Sequence, residues 1–143
     1  MKSVSVHRLR MRWQGTYLRR NGSLGINASG AQCVNVDNQL ADKMGIAASP
    51  GNAIALTYPG SVWVENRPDN FPPAGALVKF FAEFPYDPEA GHTGMALHNC
   101  TVDELHILWQ NDPEGAPCEV VWTDYTACMG WWILRSETAK LVY

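Results

Sequence analysis

No stretch of the 143-residue sequence is apolar for long enough to cross a bilayer, and none follows the basic start Met1-Lys2 as a secretory leader requires. Repeats and low-complexity tracts are also missing, which excludes solenoid and disordered architectures. Acidic side chains are absent until Asp37, whereas residues 1 to 20 hold six of the eleven Lys and Arg. With 17% charged and 46% hydrophobic residues, six of them tryptophan, the chain has the composition of a globular domain. One core suits this length. Residues 1–23 are expected as a basic N-terminal strand or extension and residues 24–143 as the body of a single domain.

In the basic end, Arg8, Arg10 and Arg12 alternate with Leu9, Met11 and Trp13, the period of a strand with one charged and one apolar face. Such arginines keep an edge strand soluble, or they attract an anionic polymer, a nucleic acid or a partner protein. Turn-forming residues follow at Asn21-Gly22-Ser23 and Asn27-Ala28-Ser29-Gly30. Cys33, Val36, Leu40, Ala41 and Met44 then fall at helical spacing before Gly45, so the spacing predicts a helix from Cys33 to Met44. A second, short helix is expected near Gly51-Asn52-Ala53. Strands are predicted at Val62–Glu65, Ala76–Phe81, Gly91–Asn99, Leu105–Asn111, Glu119–Thr123 and Gly130–Arg135, with loops at Asn70–Gly75 and Phe84–Ala90. Nothing regular is predicted after Arg135. A helix ahead of a run of strands makes an α+β domain, the helix packed on an antiparallel sheet.

A thiol in the first turn of a helix meets unpaired backbone N–H groups and the positive end of the helix dipole, both of which favour thiolate. Cys33 has that place, and the neighbouring amides with the side chain of Gln32 are suited to hold an oxyanion. The alternative is an ordinary core thiol. A nucleophilic thiol needs a base. Gly91-His92-Thr93-Gly94 offers a histidine at the start of an apolar strand, flanked by glycines that leave room for substrate. His7, His98 and His106 lack such flanks.

The segment Leu24-Gly25-Ile26-Asn27-Ala28-Ser29-Gly30-Ala31-Gln32-Cys33-Val34-Asn35 resembles the nucleophile segment of the CHAP family, the cysteine, histidine-dependent amidohydrolases and peptidases. Pro50-Gly51-Asn52-Ala53, Trp63-Val64, Asn70 to Gly75, Gly91-His92 and Gly130-Trp131-Trp132 resemble further landmarks of that family in the same order, over roughly residues 24 to 135. The resemblance implies a papain-like fold in which His92 takes the proton of Cys33 and the thiolate attacks an amide of bacterial peptidoglycan. It also implies a third residue that orients His92. Many members carry a carboxylate where this chain has Trp109, with an asparagine two residues on. Alternation along a strand puts Asn111 on the face of Trp109, so Asn111 is the expected orienter, ahead of Asp112 and Gln110; equally, Asn111 is suited simply to begin the turn at Asp112-Pro113.

Some relatives have an aspartate-rich calcium loop before the nucleophile, but Asn27-Ala28-Ser29 supplies no carboxylate, and no structural calcium is expected. His98, Cys100 and His106 lack the close-paired spacing of a zinc site. No metal or cofactor is therefore expected. Trp63 and Trp109 are expected to line a substrate groove or to fill a core, and Trp131 and Trp132 to lie one buried and one exposed. The four cysteines are expected as thiols, although Cys118 and Cys128 are placed to meet across a hairpin.

These readings lead to an amidase or endopeptidase of peptidoglycan, a phage lysin or tail-associated enzyme that reaches the wall through a holin, lysis or a virion. Phage tail or other virion proteins are potential partners through the basic end; membrane and nucleic acid are not expected. The alternative is a structural subunit of a phage virion, such as a tail tip, that keeps the fold with little or no catalysis. A papain-like hydrolase of proteins or small amides is the third reading.

Overall fold

The computed structural model describes residues 1–81 and 90–143. Most of the loop expected at Phe84–Ala90 lies outside those residues. In chain order come β1 (Lys2–Ser5), α1 (Val6–Trp13), β2 (Tyr17–Leu18), β3 (Leu24–Gly25), α2 (Val34–Lys43), β4 (Val62–Glu65), β5 (Leu77–Phe80), β6 (His92–Ala96), β7 (Leu105–Trp109), β8 (Glu119–Thr123), β9 (Cys128–Ile133) and β10 (Ala139–Val142). Six strands form one antiparallel sheet in the order β4-β9-β5-β6-β7-β8. This is the expected mixture of few helices and an antiparallel sheet.

Period-2 alternation sends the sheet's side chains to two faces. Leu77, Met95 and Leu108 stand in register on one face and join Val36, Leu40 and Ala41 of α2. Val78, Ile107 and Trp131 build a second apolar cluster on the other face. The helix therefore covers one side of the sheet, and its closest approach is to β6.

The N-terminal segment corrects the strand expected for Arg8 to Trp13. It is helical because Val6, Leu9 and Trp13 repeat at helical spacing and all three are buried, whereas Met11 is 65% exposed and breaks the alternation. Ser5 caps the helix, its hydroxyl accepting from the Arg8 N–H, and Arg10 and Arg12 lie in the last turn, where cations suit the dipole. The apolar face of α1 enters the same cluster as Val36 and Leu40. The two termini then meet: β1 pairs in parallel with β10, a strand not anticipated after Arg135, since four residues flanked by polar ones carry little periodic signal. No helix forms at Gly51-Asn52-Ala53, where the chain turns instead, as Gly51 at φ 141° and three small residues favour.

Trp131 is buried and Trp132 half-buried, its ring edge-on to Tyr58. All four cysteines are free thiols. Cys118 and Cys128 do not meet because they belong to the clusters on opposite faces of the sheet.

Truncation of Trp13, only 2% exposed, removes a large part of the contact between α1 and the helix-side cluster. Trp13→Ala is expected to lower stability by about 3–5 kcal/mol, read as an earlier midpoint in urea unfolding. A change under about 1 kcal/mol would mean that α1 is not part of the core.

Candidate active site

A cleft of about 450 Å³ opens where the start of α2 faces the beginning of β6 and the end of β7, and it is lined by Gln32, Cys33, His92, Trp109, Asn111 and Asp112 among others. The local sequence explains how Cys33 reaches it. Asn35, buried in the first turn of α2, donates from Nδ2 to the carbonyls of Leu18 at 2.9 Å and Gly30 at 3.0 Å, fixing the loop that leads into the helix. Gln110, also buried, accepts from the Leu18 N–H at 2.6 Å and donates to the carbonyls of Leu18 and Gln32, each at 2.9 Å. The end of β7 is thereby tied to the residue just before Cys33. Cys33 itself caps α2 with helical backbone angles and no side-chain capping bond, and the Asn35 and Val36 amides donate to the carbonyls of Gln32 and Cys33.

The Cys33 thiol is pushed up to about 11, first by burial and then by the negative charge of Asp37; the charge of Lys79 and the backbone amides of Thr93 and Val34 act in the opposite direction. The Thr93 amide belongs to the residue after His92, so the start of β6 lies against Cys33. Gly91 leaves room for Ile54 and the Phe80 carbonyl at the turn into β6. Its φ is +65°, and a Cβ there would stand 2.2 Å from Ile54 Cγ2 and 2.8 Å from the Phe80 carbonyl.

His92 is held by aromatic rings. Trp109 meets it edge-on at 4.6 Å between centroids, and Phe80 lies at 6.0 Å. Burial depresses the basicity of the imidazole, against the charges of Asp112 and Asp37, which favour the protonated form. Its Nε2 lies 3.8 Å from Asp112 Oδ2, too far for a hydrogen bond, and among the described residues it has no hydrogen-bond partner. Trp109 Nε1 is likewise buried without a partner among them.

The residues proposed from the sequence are thus sorted. Cys33, His92, Gln32 and Trp109 line one cleft. Asn111 lines it too, but it does not take the orienting place: its φ is +67°, and its Oδ1 accepts from the Gly115 N–H at 2.7 Å. Strand β7 ends at Trp109, so the alternation that placed Asn111 on that face stops two residues short. Asp112 is the carboxylate that approaches His92. Gln110 is committed to the backbone of Leu18 and Gln32 and to the Cys118 thiol, which donates to its Oε1 at 3.1 Å. Trp63 is absent from the cleft; it belongs to β4, pairs with Trp132 in register, packs on that ring and donates from Nε1 to Glu65. Among the described residues no group of three His, Cys, Asp or Glu side chains is gathered to hold a metal, His106 stacking instead on Trp122 at 3.9 Å.

One cluster beneath the cleft was not anticipated. Asp37 is fully buried one turn after Cys33, and its Oδ2 accepts from Lys79 Nζ of β5, from Tyr58 OH at 3.1 Å and from Thr93 Oγ1 at 2.6 Å. Its signal was a lone lysine inside the apolar run Ala76–Phe81, and an aspartate four residues after the cysteine on the same helix face.

No family model matches the chain, and no curated protein matches it. Among solved structures it is similar to a wild-type endolysin, LysIME-EF1, with a TM-score of 0.73 and 18% sequence identity over 92% of this chain. The chain spans 63% of that endolysin's length. At that identity the likeness is one of fold.

A thiol raised to about 11 predicts that alkylation of Cys33 by iodoacetamide accelerates steadily from pH 7 to pH 10 without levelling off. Peptide mass spectrometry is expected to find Cys33 modified well ahead of the buried Cys100, Cys118 and Cys128. A rate already flat at pH 7 would contradict this environment.

Proposed function

We infer that this chain is a peptidoglycan hydrolase of the papain-like CHAP type, acting on an amide through Cys33 and His92. The observation that carries this reading is a thiol at the uncapped start of α2, beside the His92-Thr93 backbone, in an open cleft. The resemblance to an endolysin fold supports the choice of substrate.

The environments of the two groups suit a neutral resting pair. With the thiol raised and the imidazole lowered, Cys33 holds its proton and His92 is free to accept one. His92 then takes the proton as sulfur bonds to the carbonyl carbon, and the carbonyl oxygen becomes an oxyanion near the positive end of the α2 dipole. On collapse the C–N bond breaks and the amine leaves with the proton from His92. Water, activated by the same imidazole, hydrolyses the thioester and restores the thiol. In this scheme Asp112 stabilises the imidazolium across 3.8 Å, and Trp109 and Phe80 fix the ring. Gln32, with its backbone carbonyl held by Gln110, presents an exposed side chain to the substrate. Delivery to the wall by a holin, by lysis or within a virion belongs to the same reading.

Purified walls from several bacteria, treated with the wild-type chain and analysed by turbidity and mass spectrometry, test it. Wild type is expected to release new amine or stem-peptide ends, and Cys33→Ala none. His92→Ala is expected to lose at least about 100-fold in rate and Asp112→Asn about tenfold. Undiminished cleavage by Cys33→Ala would refute the mechanism, whereas a folded wild type that cuts no wall would favour a structural subunit.

The pH profile gives a separate check. A lowered imidazole stays neutral to lower pH, so the acid limb of kcat/KM is expected below pH 6.5, the ordinary histidine value. A limb above that value would mean that the carboxylates, not burial, dominate His92.

A further inference from the structure

The buried cluster beneath the cleft lies outside the reacting groups, yet its charges reach both of them. Asp37 acts on Cys33 and His92 alike, disfavouring the thiolate and favouring the imidazolium, and Lys79 acts on Cys33 in favour of the thiolate. Its geometry is equally specific. Asp37 belongs to the helix that carries Cys33, Thr93 follows His92 on β6, and Lys79 lies two strand positions beyond Leu77 on neighbouring β5. A single carboxylate oxygen collects donors from all three directions, and Lys79 Nζ donates also to Tyr58 OH at 3.0 Å. The tyrosine stays protonated because burial and Asp37 both raise it. Asp37 Oδ1 remains buried with no partner among the described residues.

Stability is a poor reason for such a cluster. Well-packed apolar residues of similar size often serve as well as a buried ion pair, because desolvation cancels much of the attraction. Its placement is better matched to the reaction, in which a neutral pair becomes a thiolate and an imidazolium at two half-buried groups. We propose that Asp37 and Lys79, held by Tyr58 and Thr93, are positioning residues for the Cys33–His92 pair: Lys79 steadies the thiolate, Asp37 the imidazolium, and the hydrogen bonds fix α2 against β6. This role rests on the assignment of Cys33 and His92 as the reacting pair.

The test reads the thiol directly and needs no wall substrate. Rates of Cys33 alkylation by iodoacetamide, in which the thiolate sulfur bonds to carbon and iodide leaves, are followed from pH 6 to pH 11 in the folded chain. Lys79→Met is expected to be about fivefold slower at pH 8 and Asp37→Asn about fivefold faster. Thr93→Val, which strips one donor from Asp37 without changing any charge, is expected to be about twofold slower. Circular dichroism establishes that each variant is folded. Opposite signs for the two charge variants support the proposal, since damage to packing alone would not reverse with charge. Should a charge variant fail to fold, Thr93→Val decides: a slower rate supports the role, and a rate equal to or above wild type overturns it. Coincident profiles in all folded variants also overturn it. Wall cleavage that survives Cys33→Ala would instead sink the hydrolase assignment while leaving these thiol rates as they are.

Discussion

Helix α2 lies against strand β6 with a buried carboxylate between them, and the cleft end of the fold depends on that contact. Asp37 has left water entirely, which is costly unless its lone pairs are met. One of its oxygens takes Lys79, Tyr58 and Thr93. Each donor comes from a different part of the chain, so helix rotation and strand register are specified together. A helix turned by one residue would take Cys33 out of the cleft and strand Asp37 in the apolar layer.

The second constraint is the join between the start of α2 and the end of β7. Gln110 spends its amide on Leu18 and Gln32, and Asn35 spends its own on Leu18 and Gly30. Buried amides with satisfied bonds have few alternative arrangements. They hold the loop before Cys33 through side-chain amides, while the first-turn N–H groups of Asn35 and Val36 donate to the carbonyls of Gln32 and Cys33. The closure of β1 on β10 and the burial of Trp13 bring the two ends of the chain into the same core that supports α2.

The cleft combines a thiol harder to ionise than usual with an imidazole harder to protonate than usual. Both follow from the same burial, because either charge is costly there when it stands alone. In the proposed mechanism, proton transfer between them creates the two charges together, above the Asp37–Lys79 pair, whose carboxylate acts on Cys33 more strongly than its ammonium. A preformed thiolate is therefore not required for nucleophilic attack in the proposed mechanism. Trp109 packs on the His92 ring, and the Asp112 carboxylate stands back at 3.8 Å.

Much of the architecture was legible because it depends on local periodicity. The spacing from Cys33 to Met44 specifies α2, and alternation over the later strands specifies an antiparallel sheet. Cys33 and His92 could be singled out by their places on those elements. Alternation misled at Arg8 to Trp13, where Ser5, Val6, Leu9 and Trp13 carried the competing helical signal. It misled again at Asn111, beyond the end of β7, where a left-handed residue redirects the chain and brings Asp112 to the histidine. The sequence by itself determined the helix that carries the thiol, the strand that carries the imidazole and the sheet beneath them, since these follow from nearest-neighbour sterics and burial patterns. Only the tertiary structure decided which carboxylate meets His92, that Trp63 lies away from the cleft, and that Lys79 is buried on Asp37, because these contacts join residues distant in sequence and depend on the register in which the elements pack.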